Sequence, residues 1–454
     1  MAKKYDVDMT QGSALKHLIT FAFPLLVGNL FQQLYNTVDT WVVGNYVGNE
    51  AFSAVGSVGP ITTMLIGFFM GLSSGAGVVI SQYYGAKNYD KVHEAVHTSI
   101  FITAVLSVVI TLLGIAITPL ALRLMKTPEE VWPEAQTYLI IYFAGSAGLL
   151  FYNMASAILR AVGDSQRPFY FLVVSAVLNT ILDLLFVIVF HMGVAGVAYA
   201  TIIAQAISAI LSVLVLIRSD SCIRLKLKDI RCHMEMLKKT VQVGIPASLQ
   251  MTITSFSNIF VQSYINFFGA NCMGGWTAYA KIDQLMFLPM QSLALAATTY
   301  VGQNLGKGYI DNAKKGTRTS LLLSLVSTAV IGIAVIPLAK PLVGFFNSKP
   351  EVIEIGAMFL KYITPFYLLC CFNQIYSGAL RGAGDSKATM IIMLASFVVF
   401  RQIYLYVVAN FMSNEMLPIA MSYPAGWFVC SVTTYIYYKK TGFKKNILME
   451  PASK

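Results

Sequence analysis

Long apolar runs, broken by short charged turns, organise this chain. Residues 100–117 read IFITAVLSVVITLLGIAI without a single charge, and similar runs follow one another from Phe21 to Tyr438. A stretch of roughly 18 or more apolar residues is long enough to cross a bilayer as a helix. Lipid offers no hydrogen bonds to the backbone, so a spanning run must satisfy its own N–H and C=O groups as a helix. A membrane β-barrel would instead alternate apolar and polar residues in short segments, which these runs do not. The pattern predicts twelve helices, at 18–47, 51–84, 94–119, 135–158, 168–190, 194–218, 240–268, 273–303, 316–340, 352–379, 388–411 and 415–438.

The charges between the runs orient them. Lys3, Lys4 and Lys16 precede the first run. Alternate loops then carry Lys87 and Lys91, Arg160 and Arg167, the dense stretch Arg218 to Lys239, Lys307 to Arg318, and Arg381 with Lys387; the tail adds Lys439, Lys440, Lys444, Lys445 and Lys454. Only Arg123, Lys126, Lys340 and Lys349 fall in the opposite loops, and Lys281, Lys361 and Arg401 inside runs. Basic residues concentrate on the cytoplasmic side, so both termini are expected there, in the cell (inner) membrane. The opening MAKKYDVDMTQGSALKH lacks a short apolar core with a small-residue cleavage site, and no removable signal peptide is expected.

Composition agrees. Only 12% of the 454 residues are charged, about half the usual share for a soluble domain. The net charge of +11 reflects the loop bias rather than a nucleic-acid face, which would need clustered bases on a soluble domain. Cys222, Cys232, Cys272, Cys370, Cys371 and Cys430 form no paired motif, and free thiols are expected. His17, His93, His97, His191 and His233 read as scattered, and no resident metal or cofactor is expected.

The chain repeats itself. LRAVGDS at Leu159–Ser165 returns as LRGAGDS at Leu380–Ser386. Pro24, in TFAFPLLVGNLFQQLYNTVDTWVVGNYVG, matches Pro246, in TVQVGIPASLQMTITSFSNIFVQSYINFFG, and SQYYGAKNYDKV matches GQNLGKGYIDNA. Six spans per half place both halves in the same orientation, about an axis along the membrane normal. The predicted division is an amino-terminal six-helix lobe at 1–217, a basic cytoplasmic linker at 218–239, a carboxy-terminal six-helix lobe at 240–440 and a cytoplasmic tail at 441–454. The repeated Gly-Asp reads as turn chemistry.

A carboxylate inside a span costs at least about 2.5 kcal/mol at the bilayer centre, so it is a functional candidate by default. Asp39, Asp183 and Asp283 qualify. Asn179 precedes Asp183 by one turn on the same helix face, and Tyr35 precedes Asp39 likewise. By topology Asp39, Asp183 and Thr201 share one depth, in the outer half of the membrane. Such a set can share a proton or coordinate Na⁺ through oxygen, the reading favoured here over polar residues satisfying one another inside a bundle. Opposite Asp39, counting from the paired prolines, the second half has Val261. Asp283 is expected to form a structural ion pair with Lys361 or Arg401, or to face a substrate. Met64, Phe68, Met286 and Met290 are candidate walls of a drug cavity, although for any one of them lipid or core is the more ordinary place.

These features together resemble the multidrug and toxic compound extrusion (MATE) family: the doubled LRxxGDS, the YNTVDTWVVG of span one, LNTILD and TYVGQNLGKG. The likeness covers about residues 15–440 and is greatest to bacterial DinF-like and MepA-like members. It implies an all-α membrane protein with two six-helix lobes in a V, monomeric, exporting organic, often cationic and aromatic, compounds against H⁺ or Na⁺. It further implies a cation site at Asp39, Asn179, Asp183 and Thr201, with Tyr35 and the bend-forming Pro24 in support. The carboxylates that the NorM-like branch adds in spans seven and ten are missing from PASLQMTITSF and LLCCFNQIYSG. Three other readings compete, one of them a channel, which the two-lobe repeat and single polar pocket suit less well than alternating access. A lipid-linked precursor or polysaccharide flippase would need a strongly basic cavity, and only Lys281, Lys361 and Arg401 are intramembrane bases. A membrane enzyme would need a nucleophile–base or metal constellation at the surface.

Overall fold

The computed structural model describes residues 6–125, 127–412, 415–443 and 448. Lys126 and most of the 441–454 tail, with its expected cytoplasmic placement, lie outside the described residues.

Span one is Ala14–Val42, continued by a π-helical turn, Val43–Val47. Spans two and three are Asn49–Gly85 and Tyr89–Leu124. Span four is two helices, Trp132–Ala144 and Ser146–Ala161, bent by 46° at Gly145. Span five, Gln166–Leu184, ends in a second π turn, Leu185–Val189, and span six is Gly193–Ile217. Spans seven to nine are Met234–Asn266, Ala270–Gly306 and Ile310–Val335. Span ten joins Pro350–Ile363 to Tyr367–Gly382, span eleven runs through Ser386–Met393 and Arg401–Val407, and span twelve is Ser422–Thr441.

Among the described residues nine helices, or ten if the bent pair is one span, are long and apolar enough to cross a membrane. Spans seven and twelve fall short in composition, not length, and burial explains why. Ser248, Gln250, Ser257, Ser422, Ser431 and Thr434 are all buried, so these helices direct a set of polar residues into protein. A hydroxyl that hydrogen-bonds back to its own helix costs little there, as Thr254 does to the Gln250 carbonyl at 2.7 Å.

Two compact units emerge: the described part of Met1–Asp8 with Pro24–Gly244, and Met9–Phe23 with the described part of Ile245–Lys454. The expected linker is not a free tether. Span seven begins at Met234, and the residues before it belong to the first unit, where Ile223 and Leu225 are fully buried. Met9–Phe23 goes to the second unit, where the Met9 amide donates to Gln303 Oε1 at 2.9 Å and the Met9 carbonyl accepts from Asn304. Span one passes from one unit to the other at Pro24, where proline removes a backbone donor.

The first unit has several small apolar clusters. The second has one large core, rich in aromatic rings: Trp276, Tyr279, Phe359, Tyr367 and Trp427. All six cysteines are free thiols.

The repeated motif makes the same turn twice. In the first copy Gly163 N–H donates to the Arg160 carbonyl and Asp164 N–H to that of Leu159; in the second, Gly384 and Asp385 donate to Arg381 and Leu380. This Schellman geometry needs a left-handed residue, supplied by glycine at φ +87° and +91°. Each aspartate then receives the next helix: Asp164 Oδ1 accepts from the Gln166 and Arg167 amides, Asp385 Oδ1 from that of Ala388. The motif ends one span and starts the next.

Candidate functional site

Span one carries Asp39 and span five carries Asn179 and Asp183, all in the first unit. Asp183 is fully buried and Asn179 nearly so; Asp39 is half-buried. The two carboxylates come within hydrogen-bonding reach of each other. Ionised carboxylates only accept, so neither can satisfy the other. No protein partner reaches Asp39 Oδ1, either oxygen of Asp183, or either amide atom of Asn179, and all of these atoms are buried. Buried polar groups are normally paired, and a cluster that is not has a functional explanation to find.

Just beyond each acid the helix changes to a π turn, a local widening of the helix frequent at functional sites. Beside these turns Val42, Val43, Ala51, Val187, Val194 and Val197 form a buried apolar cluster. The carboxylates thus adjoin a buried apolar cluster. Thr201, on span six, is buried and donates its hydroxyl hydrogen to the Val197 carbonyl at 3.0 Å, which leaves its oxygen lone pairs to accept. Tyr35 lies within electrostatic range of Asp39 and bonds Gln32.

Sequence reasoning missed part of this surrounding. Tyr138, on span four, lies within electrostatic range of both carboxylates, and Tyr142, stacked with it at 6.1 Å, bonds Gln205. Their spacing puts both on one helix face, but an aromatic pair in an apolar run reads as core.

The other candidates fare differently. Met286 and Met290 are buried in the aromatic core of the second unit, so neither walls an open cavity. Phe68 packs partly buried against Leu149 and Leu150, and Met64 is exposed. The ion pair expected for Asp283 is absent: Tyr279 and Tyr367 donate their hydroxyls to Asp283 Oδ1. Arg401 donates instead to Ser257 Oγ at 2.6 Å, Asn258 Oδ1 at 2.9 Å and the Phe397 carbonyl, and stacks over Tyr423. Lys281 and Lys361 are exposed. Neutral donors and acceptors thus serve both charges in place of a direct pair. Val261, opposite Asp39 in the repeat, is fully buried in apolar surroundings, so the second unit has no copy of the carboxylate pair at that position.

The comparisons with known proteins agree with one another. The MatE family profile matches residues 24–185 and 246–407, one copy in each half of the repeat. A probable multidrug resistance protein of Bacillus subtilis, YoeA, is 30% identical over 446 residues, covering 96% of each chain. A second from that organism, YpnP, is 29% identical over 95% of this chain and 96% of its own. Among solved structures, a multidrug resistance MATE family transporter in an outward-facing conformation superimposes with a TM-score of 0.92 at 23% identity, over 98% of this chain and 100% of that one. The twelve-helix fold is therefore that of MATE transporters, and the chain belongs to the MatE family.

Proposed function

We propose that this protein exports organic compounds by alternating access, as a monomer in the cell membrane with both termini cytoplasmic, in exchange for H⁺ or Na⁺ taken up at Asp39 and Asp183. The observation that carries the reading is the carboxylate pair, Asp183 fully buried and Asp39 half-buried, with no protein donor on Asp39 Oδ1 or on either Asp183 oxygen. Two ionised carboxylates at this range repel, and the surroundings supply no compensating charge. A proton shared between them, or a Na⁺ held with Asn179 and Thr201, removes the repulsion and lets spans one, five and six draw together. Pro24, where span one has lost a backbone hydrogen bond, is the place for that change to become a bend. No cofactor enters this cycle beyond the coupling ion.

The names of the relatives favour drug efflux over flipping of a lipid-linked precursor. So does the placement of the bases: Lys281 and Lys361 are exposed, and Arg401 is committed to Ser257 and Asn258. Transport in proteoliposomes under separately imposed proton and sodium gradients tests the proposal. Asp39→Asn and Asp183→Asn should each abolish ion-driven export while the protein still inserts; export at the normal rate by either variant would refute the coupling role. Labelling from outside intact cells of a cysteine placed at residue 228 would refute the topology.

A further inference from the structure

The linker is clamped to the membrane-facing helices by histidine. His97, fully buried near the start of span three, has Nδ1 at 2.7 Å from the His93 carbonyl, one turn earlier. That carbonyl can only accept, so Nδ1 carries the hydrogen and Nε2 presents a lone pair. The Lys226 amide of the linker points at that lone pair from 3.1 Å. His93 stands beside His97, ring centroids 3.9 Å apart, and its Nε2 is 3.3 Å from Asp229 Oδ2. Asp229 ends a single 3₁₀ turn, Leu227–Asp229. The linker backbone is fixed on both sides of it, by His97 at Lys226 and by Thr98 Oγ1, which accepts from the His233 amide at 3.1 Å.

Two imidazoles one helical turn apart and a carboxylate from a second segment make a chelate. One ligand atom from each of His93, His97 and Asp229 lies within 4.8 Å of the others. Ligands around a tetrahedral Zn²⁺ at bond lengths of ~2.0–2.1 Å stand about 3.3 Å apart, which the His93–Asp229 pair already matches. A ligating histidine ordinarily donates its other ring N–H to a carbonyl or carboxylate, fixing the tautomer; His97 does so to His93. We propose that His93, His97 and Asp229 bind a transition-metal ion of the Zn²⁺ class, which fastens the linker between the two halves of the repeat to the start of span three. The two nitrogens and one carboxylate oxygen suit Zn²⁺ or its imidazole-seeking neighbours rather than Mg²⁺ or Ca²⁺. A water completes the fourth position. The metal takes the His97 lone pair from the Lys226 amide and comes between His93 Nε2 and Asp229 Oδ2, so three ligand bonds replace those two contacts. Lys226, Lys228 and Arg231 are exposed on the linker and oppose a dication only through solvent. The spacing of the two histidines is legible in the sequence, but Asp229 comes from a distant segment, and without it the pair reads as scattered.

The test titrates Zn²⁺ calorimetrically into the full chain, purified in detergent without a polyhistidine tag. One saturable site per chain is expected. His93→Gln and Asp229→Asn, both at partly exposed positions, should each weaken it at least tenfold. Trypsin reports on the clamp, because Arg224, Lys226, Lys228 and Arg231 are exposed. Zn²⁺ should slow cleavage of the linker in the unmodified chain and leave the Asp229→Asn rate unchanged. No saturable binding, equal affinity in both variants and the parent, or binding without protection of the linker would overturn the proposal. So would loss of the site in Cys232→Ser with His93→Gln binding normally. None of these outcomes depends on which ion drives export.

Discussion

Replacing Asp39 by asparagine isolates what the carboxylate pair does. In the unmodified protein with no cation between them, Asp39 and Asp183 face each other as acceptors, with no protein donor on Asp39 Oδ1 or on either Asp183 oxygen. Two unit charges about 4 Å apart interact by roughly 4 kcal/mol at an effective dielectric constant of ~20. A proton or Na⁺ between them relieves up to that amount, and the relief is available to drive a change of state. The side-chain amide that Asp39→Asn introduces would remove one charge and supply a donor to Asp183, so the variant should be more stable than the parent when no cation is present. The parent should gain stability as Na⁺ is added at high pH, or as pH falls without Na⁺. At a cation concentration of a hundred times Kd the gain is about 2.7 kcal/mol, and Asp39→Asn should show neither response. Thermal unfolding in detergent, scanned over Na⁺ and over pH separately, reads this directly and tells the two ions apart. Reciprocity adds a second reading: a cation that favours one state must weaken the binding of a drug that favours the other, by the same factor that drug weakens the cation. If Asp39→Asn and the parent respond alike to both ions, the pair is not the coupling site.

Three further outcomes are expected. Gly163→Ala should destabilise the first unit by about 1–2 kcal/mol from the left-handed backbone alone, and by more because an added Cβ would lie 2.4 Å from the Val7 carbonyl oxygen; unchanged thermal stability would refute the turn geometry. Glu235, in the first turn of span seven and outside the stretch expected to cross the membrane, accepts from Lys239 and Lys91 at 2.9 Å each, and these hold its carboxyl near 2 against an ordinary 4.5. A lowered carboxyl contributes stability above pH 4.5 that disappears as pH falls toward 2, so Glu235→Gln should flatten that fall by under ~1 kcal/mol, the pair being solvent-exposed; an identical acid limb in both proteins would refute it. Asp283→Asn and Arg401→Gln, which have Tyr423 as a common neighbour, should couple by well under the ~3–5 kcal/mol that breaking a direct buried pair costs; a coupling of that size in a double-mutant cycle would restore the ion pair that the structure replaces with tyrosine hydroxyls and Ser257.

The fold was legible because lipid leaves the sequence few choices. A run such as residues 100–117 has one way to satisfy its backbone, and the charge bias of the loops then fixes the order of crossings. Spans seven and twelve are the most polar, and the sequence, which places them at 240–268 and 415–438, did not carry where that polarity goes: Ser257 donates to the Phe397 carbonyl and Ser431 to that of Leu369. The π turns after Asp39 and Asp183 left no trace either, because nothing in VGNYV or LFVIV distinguishes them from ordinary helix.

The candidate site divides along the same line. Asp39 and Asp183 could be singled out because an acid in a span is costly wherever it points, so each residue alone carries the signal. Partnership has no such signal. Asp283 had two bases in its half to choose from, Lys361 and Arg401, and took neither, because Tyr279 and Tyr367 reached it first from the faces of spans eight and ten. Arg401 made the converse choice with Ser257 and Asn258. A tyrosine hydroxyl satisfies a carboxylate while its ring stays in the apolar core, so it brings a donor without a second charge to desolvate. Aromatic residues in a span therefore hide the surroundings of its acids: Tyr279 and Tyr367 as donors to Asp283, and Tyr138 as a neighbour within electrostatic range of Asp39 and Asp183 that donates to neither. The difference between the two acidic places then follows. Asp283 has its donors from the protein, whereas Asp39 Oδ1 and both Asp183 oxygens have none, and on the proposed coupling role it is this second pair that takes a cation from outside.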